Sequence, residues 1–183
     1  MDISSFTEAF SDITLQTPTL GVVISIFLVV FLLLLSGFAS ASEISFFSLS
    51  PADIADLDVE HSARDRKIEM LRQDSERTLA TILITNNFVN VTVIMLCNFI
   101  FGSLIHFGPR AEWLEFLVLT VLLTFLLLLF GEIMPKVYSR QNPLIFCRFA
   151  VNGILFFRKF FWLLETILTK SGVIAEKVWQ KKN

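Results

Sequence analysis

The sequence predicts an all-α, polytopic membrane protein, with three transmembrane helices and additional juxtamembrane or interfacial helices. Three observations carry that expectation. Hydrophobic residues make up 54% of the 183 residues and charged ones only 17%, too little charge to cover a soluble domain of this size. The mean hydropathy is +0.69. Phe occurs 20 times and Tyr once, a bias that suits lipid contact better than a solvated surface. The formal net charge of −2 excludes a basic nucleic-acid-binding face.

Met1 to Pro18 carries Asp2, Glu8 and Asp12 and no Lys or Arg. A secretory signal needs a basic stretch before its apolar core, so the first apolar run is expected to remain as a span. That run opens at Leu20 and meets no charge until Glu43, ending in the small-residue stretch Ser36-Gly-Phe-Ala-Ser-Ala-Ser42. A second run, Leu79 to His106, holds no charged residue, and a third runs from Phe116 through Phe130 into Gly131-Glu-Ile-Met-Pro-Lys136. A spanning helix needs about 20 apolar residues. The expected spans are therefore about 19–48, 79–106 and 114–139, with juxtamembrane helices over about 51–77 and 143–179.

A fourth apolar stretch, Leu144 to Leu168, is interrupted by Arg148, Arg158, Lys159 and Glu165. Charges at the bilayer centre are costly, so it is expected to lie in the interface as one or two helices broken near Gly153, with a fourth span as the alternative. Thr17-Pro18, Ser50-Pro51 and Asn142-Pro143 each place a capping side chain before a helix-starting proline. Gly108-Pro109 marks the turn between spans two and three. Arg64, Arg66, Lys67, Arg72 and Arg77 follow the first span, and Arg140, Arg148, Arg158 and Lys159 follow the third, while the intervening loop holds only Arg110. The positive-inside rule then puts the N-terminus outside and the juxtamembrane segments in the cytoplasm.

Glu132 is the residue that most suggests chemistry, because an ionisable group inside a span is a functional candidate by default. Pairing with Lys136, four residues on, is the alternative. Pro135 lacks an N–H, so the Gly131 carbonyl, four residues back, is expected to lose its helical partner and stand free beside Glu132. In span one, Ser36 and Ser40 stack on one face, with Gly37 and Ala41 narrowing the helix beside them and Glu43 close to the same face. In span two, Asn86 and Asn90 share a face and Asn87 lies next to it. Each feature alone also fits ordinary helix packing or amide hydrogen bonding. Together the three spans offer neutral or anionic oxygens and no sulfur or imidazole cluster, a donor set for magnesium, calcium or sodium rather than zinc or copper. Cys97 and Cys147 sit in apolar runs as small buried groups. His61 and His106 form no motif, and no nucleophile–base pair or glycine-rich phosphate loop is present, so an enzyme is not expected.

Ser36-Gly-Phe-Ala-Ser-Ala-Ser-Glu43, Asn86-Asn-Phe-Val-Asn90 and Gly131-Glu-Ile-Met-Pro-Lys136 together resemble the transmembrane domain of the CNNM (cyclin M) and CorC family of magnesium transporters. The family's gliding-motility-associated branch is also similar. The resemblance implies a homodimer in the cell (inner) membrane, with magnesium held between the helices. By motif, the implied ligands are Ser36, Ser40, Asn90 with Asn86 or Asn87, Glu132 and the Gly131 carbonyl. It also implies sodium-coupled magnesium export, and a cytosolic CBS-domain pair in the full-length protein that lies outside these residues. A membrane scaffold or a cation sensor on the same fold is the alternative.

Overall fold

The computed structural model describes residues 13–108, 112–164 and 166–167. The expected helix over 143–179 is therefore followed only to residue 167, and the remainder lies outside the described residues.

Among the described residues three helices are long and apolar enough to span a bilayer. The first, α1, is Leu20–Phe47. Two short juxtamembrane helices follow, α2 at Pro51–Ala55 and α3 at Ala63–Gln73. The second span, α4, is Ser75–Leu104. The third is one rod, Glu112–Gln141, assembled from α5 (Glu112–Leu126), a π-helical segment (Leu127–Ile133) and α6 (Met134–Gln141). A further helix, α7, is Pro143–Phe160.

The chain also contains a two-stranded antiparallel ribbon, β1 (Ile13–Leu15) against β2 (Ile105–Phe107), which pairs Ile13 with Phe107 and Leu15 with Ile105. Gln16 N–H extends it by donating to the Leu104 carbonyl at 2.8 Å. It fastens the start of α1 to the end of α4.

The caps explain several boundaries. Thr19, rather than Thr17, accepts from Val22 N–H at the start of α1, so Pro18 falls outside the helix. Ser50 and Asp53 form a full capping box ahead of Pro51. Asn142 stands in the capping position before Pro143 but makes no side-chain cap bond.

Burial is inverted relative to a soluble protein. Ser36, Ser40, Ser42 and Ser45 of α1 are fully buried, whereas Phe27, Phe31 and Leu34 are 60–73% exposed. Outward apolar and inward hydroxyl side chains are what a lipid solvent selects, since a hydroxyl in hydrocarbon must find its partner inside the protein. Two apolar cores flank the hydroxyl level. One joins Val22, Val29 and Leu32 to Val89, Val93, Cys97, Ile100 and Leu123. The other joins Ala39 and Phe46 to Ile68, Leu71, Ile82, Cys147, Ala150, Val151 and Ile154. Burial pushes the Cys147 thiol up to about 12, so it packs as an inert apolar group.

The expected break at Gly153 does not occur, because α7 runs straight through it. A Cβ there would lie 2.6 Å from Phe38 Cζ, so the glycine makes room for a ring of α1. Two of the three charges of α7, Arg148 and Arg158, have partners. Arg148 donates from Nε and Nη2 to the two oxygens of Asp65 at 2.9 and 2.8 Å, and Arg158 pairs with Asp74. Lys67 Nζ reaches Asn152 Oδ1 at 2.9 Å. These bonds hold α7 against α3 and the polar entry to α4.

Asp65 is 2% exposed. The Arg148 guanidinium holds its carboxyl below the ordinary value of 3.8, outweighing burial, and the Asp58 N–H adds to the effect. A depressed folded-state value stabilises the fold above the unfolded-state pKa, and that contribution is lost as pH falls through the folded one. Asp65→Asn is expected to cost about 1–3 kcal/mol at neutral pH by stranding Arg148. Melting curves of the two proteins from pH 7 to pH 3 should converge, and a constant gap would show that the carboxylate's charge is not what stabilises α7.

Candidate cation site

The site is made by a close approach of α1 to the third span. A Cβ on Gly131 would sit 2.9 Å from Ser36 Oγ. A Cβ on Gly37 would sit 2.9 Å from Pro135 Cγ and 3.2 Å from the Phe130 carbonyl oxygen. Neither position has room for a methyl group, so the two backbones touch where Ser36 emerges. The third span is π-helical here, with Met134 N–H donating to the Leu129 carbonyl five residues back. The free carbonyl expected at Gly131 is therefore displaced by one residue, because in the π register the donor that Pro135 lacks is the one that would serve Phe130. The carbonyl turned toward Gly37 is that of Phe130.

From α4, Asn86 and Asn90 converge on the same serine. Ser36 Oγ lies 2.9 Å from Asn86 Oδ1 and 2.7 Å from Asn90 Oδ1. A hydroxyl carries one hydrogen and donates to one acceptor at a time. Three oxygens thus meet around one proton, beside the Gly131 backbone. Ser40, one turn along α1, is fully buried and its hydroxyl has no hydrogen-bond partner. Buried hydroxyls are nearly always bonded. Ser45, further along α1, shares the exception among the described residues, while other neighbours follow the rule. Ser42 donates to the Phe38 carbonyl, Thr81 to that of Arg77 and Thr85 to that of Thr81.

Glu132 is half-buried and makes no hydrogen bond or ion pair among the described residues. The lysine that spacing offered it is engaged elsewhere, since Lys136 Nζ lies 3.3 Å from Glu43 Oε2 across the seam on α1. Asn87 is not brought to the cluster. It is exposed, and its amide donates to the Leu83 carbonyl of its own helix at 2.9 Å. Of the seven residues singled out in the sequence, the structure gathers Ser36, Asn86, Asn90 and Gly131. Ser40 lies one turn along the same stripe, Glu132 follows Gly131, and Asn87 is turned away. No group of three or more His, Cys, Asp or Glu side chains converges among the described residues, so the donors on hand are hydroxyl, amide and carbonyl oxygens with one carboxylate.

Residues 27–181 match the family model described as the cyclin M transmembrane N-terminal domain. The chain belongs to the CNNM family. That family is associated broadly with magnesium transport. The chain is 28% identical over 152 residues to a UPF0053 protein of Synechocystis, covering 81% of this chain and 41% of that protein. It is 29% identical over 143 residues to a UPF0053 protein of Haemophilus influenzae, covering 76% of this chain and 32% of that protein. The chain thus spans less than half the length of these relatives. It is a multi-pass CNNM membrane domain, and the oxygen cluster falls inside the matched region.

The seam is tight enough to test directly. Gly131→Ala or Gly37→Ala should force α1 from the third span, lowering stability by about 1–3 kcal/mol. Gly102→Ala, where a Cβ meets nothing within 4 Å inside α4, should leave melting unchanged or slightly raised. Equal melting temperatures for all three variants in detergent would refute the contact.

Proposed function

We propose that this domain moves magnesium across the cell membrane, as sodium-coupled export, through a site between α1, α4 and the third span. The observation that carries the reading is the Ser36 cluster, in which one hydroxyl meets two amide oxygens with a single proton to share. A hard cation suits a cluster of hydroxyl and amide oxygens of this kind. Ser40, with an unused buried hydroxyl, and Glu132, with an unpartnered carboxylate, extend the donor set. The Gly131 and Phe130 carbonyls are the nearest backbone oxygens.

The chemistry of the set fits its cargo. Magnesium gives up water reluctantly and accepts oxygen ligands only. One carboxylate with hydroxyls and amides holds it weakly, with waters retained, and a transporter must release what it binds. Sodium is the second ion that oxygens of this kind accept. The protein acts in this reading as a homodimer, N-terminus outside and juxtamembrane helices in the cytoplasm, with a CBS pair attached in the full-length protein.

A ligand that binds only the folded form stabilises it by an amount that grows with concentration over Kd, about 2.7 kcal/mol at a hundredfold excess. Magnesium should therefore raise the melting temperature, more than calcium, manganese or sodium. Glu132→Gln should abolish that shift while the apo protein melts as before or slightly higher. Ser40→Ala and Asn90→Ala should weaken it. A magnesium shift retained in Glu132→Gln would overturn the site, and vesicles whose protein binds magnesium but moves none would overturn transport.

Orientation has its own check. A cysteine placed near Arg66 should resist an impermeant reagent added outside intact cells. Labelling there would reverse the topology.

A further inference from the structure

The Glu43–Lys136 ion pair stands on the two helices that frame the Ser36 cluster, yet it supplies none of the cluster's oxygens. Glu43 is seven residues beyond Ser36 and three beyond Ser40, on the same stripe of α1 and about 10 Å along the axis. Lys136 is four residues beyond Glu132. Ser36 lies against Gly131 and Gly37 against Pro135, so α1 and the third span run in the same direction. The pair therefore bridges the seam one to two turns from the cluster, toward the juxtamembrane helices. The Nζ–Oε2 distance is 3.3 Å, with the lysine and glutamate side chains 33% and 28% exposed.

A cation travelling along this seam between the cluster and the juxtamembrane side meets an ammonium group first. Parting the pair by itself leaves two charges uncompensated at the edge of hydrocarbon, which is costly. A cation that takes the place of Lys136 on Glu43 removes half of that cost. The four-carbon stem of Lys136 lets its ammonium swing out to headgroup level, removing the other half. Glu43 then presents a second carboxylate, two turns from Ser36.

We propose that Glu43 and Lys136 form a cation-exchanged gate on the juxtamembrane side of the site, Lys136 holding it shut and Glu43 serving as the transient ligand that receives the ion. The proposal rests on the reading of the Ser36–Glu132 region as the cation site. It makes the pair a moving part, where a static staple between α1 and α6 would be the ordinary role of such a contact.

The experiment measures magnesium exchange in proteoliposomes with an entrapped magnesium indicator, alongside the magnesium-induced melting shift of the same variants in detergent. Lys136→Met should speed exchange several-fold and keep the melting shift. Glu43→Gln, which leaves the ammonium in place and removes the receiving carboxylate, should slow exchange about tenfold or more. The double variant Glu43→Gln/Lys136→Met should exchange faster than Glu43→Gln alone and more slowly than Lys136→Met. Should Lys136→Met fail to fold, the comparison of Glu43→Gln with the double variant carries the same decision. A uniform fall in melting temperature across the variants, with exchange per folded protein equal to wild type, would make the pair a staple and overturn the gate. Failure of the underlying site looks different, because wild type would then show no magnesium shift or Glu132→Gln would keep it.

Discussion

The contact between α1 and the third span sets the character of the whole membrane core. Two backbones can touch only where side chains vanish, and Gly37 and Gly131 supply the gaps that Pro135 and Ser36 fill. In lipid this closeness does what apolar burial does in water, because hydrocarbon gives helices no hydrophobic reason to associate. Packing that tight also forces polar atoms together. Ser36 is pressed toward the third span from one side and meets Asn86 and Asn90 from the other, so a serine that could have bonded back to its own helix is surrounded by oxygens.

The irregularity of the third span follows from the same contact. A proline inside an α-helix clashes with the turn before it and leaves one carbonyl without a donor. Widening seven residues, Leu127–Ile133, to π geometry absorbs the clash over two turns rather than at one hinge. The carbonyl whose donor is missing shifts by one residue, from Gly131 to Phe130, and faces the side of α1 that has no side chain. The glutamate that follows is left half-buried, while the neighbouring lysine crosses to Glu43.

Much of this was legible in the residues and some was not, for identifiable reasons. Spans read well because hydropathy needs no knowledge of neighbours. The Ser36, Asn86–Asn90 and Gly131 convergence read well because each motif is local and polar where lipid makes polarity expensive. Partners across helices did not read. Arg148 and Arg158 looked like interruptions of an apolar stretch, and only the fold reveals Asp65 and Asp74 waiting for them. Gly153 looked like a break, and is instead the place where the Phe38 ring enters. Asn87 looked equivalent to its neighbours, but a hundred degrees of helix rotation turns it outward to bond its own backbone. Helix spacing offers Lys136 only Glu132, the alternative pairing, whereas the carboxylate it meets, Glu43, lies on another helix. The place of Glu43 beside Ser36 and Ser40 is legible from spacing, but its partner on the third span is not.

The small ribbon at the end opposite the juxtamembrane helices has a mechanical consequence. By tying Ile13–Leu15 to Ile105–Phe107 it clamps α1 to α4 at one end, while Ile82, packed in one core with Ala39 and Phe46, joins them near the other. Two rods pinned at both ends cannot slide past one another. Among the described residues the third span is gripped most tightly in its second half, at Gly131, Pro135 and Lys136, and it is the least buried of the three. Under the proposed transport, a rearrangement that changes which side the oxygen cluster faces would fall to the less buried first half of that rod, moving against the α1–α4 pair, with its π-helical stretch as the compliant section.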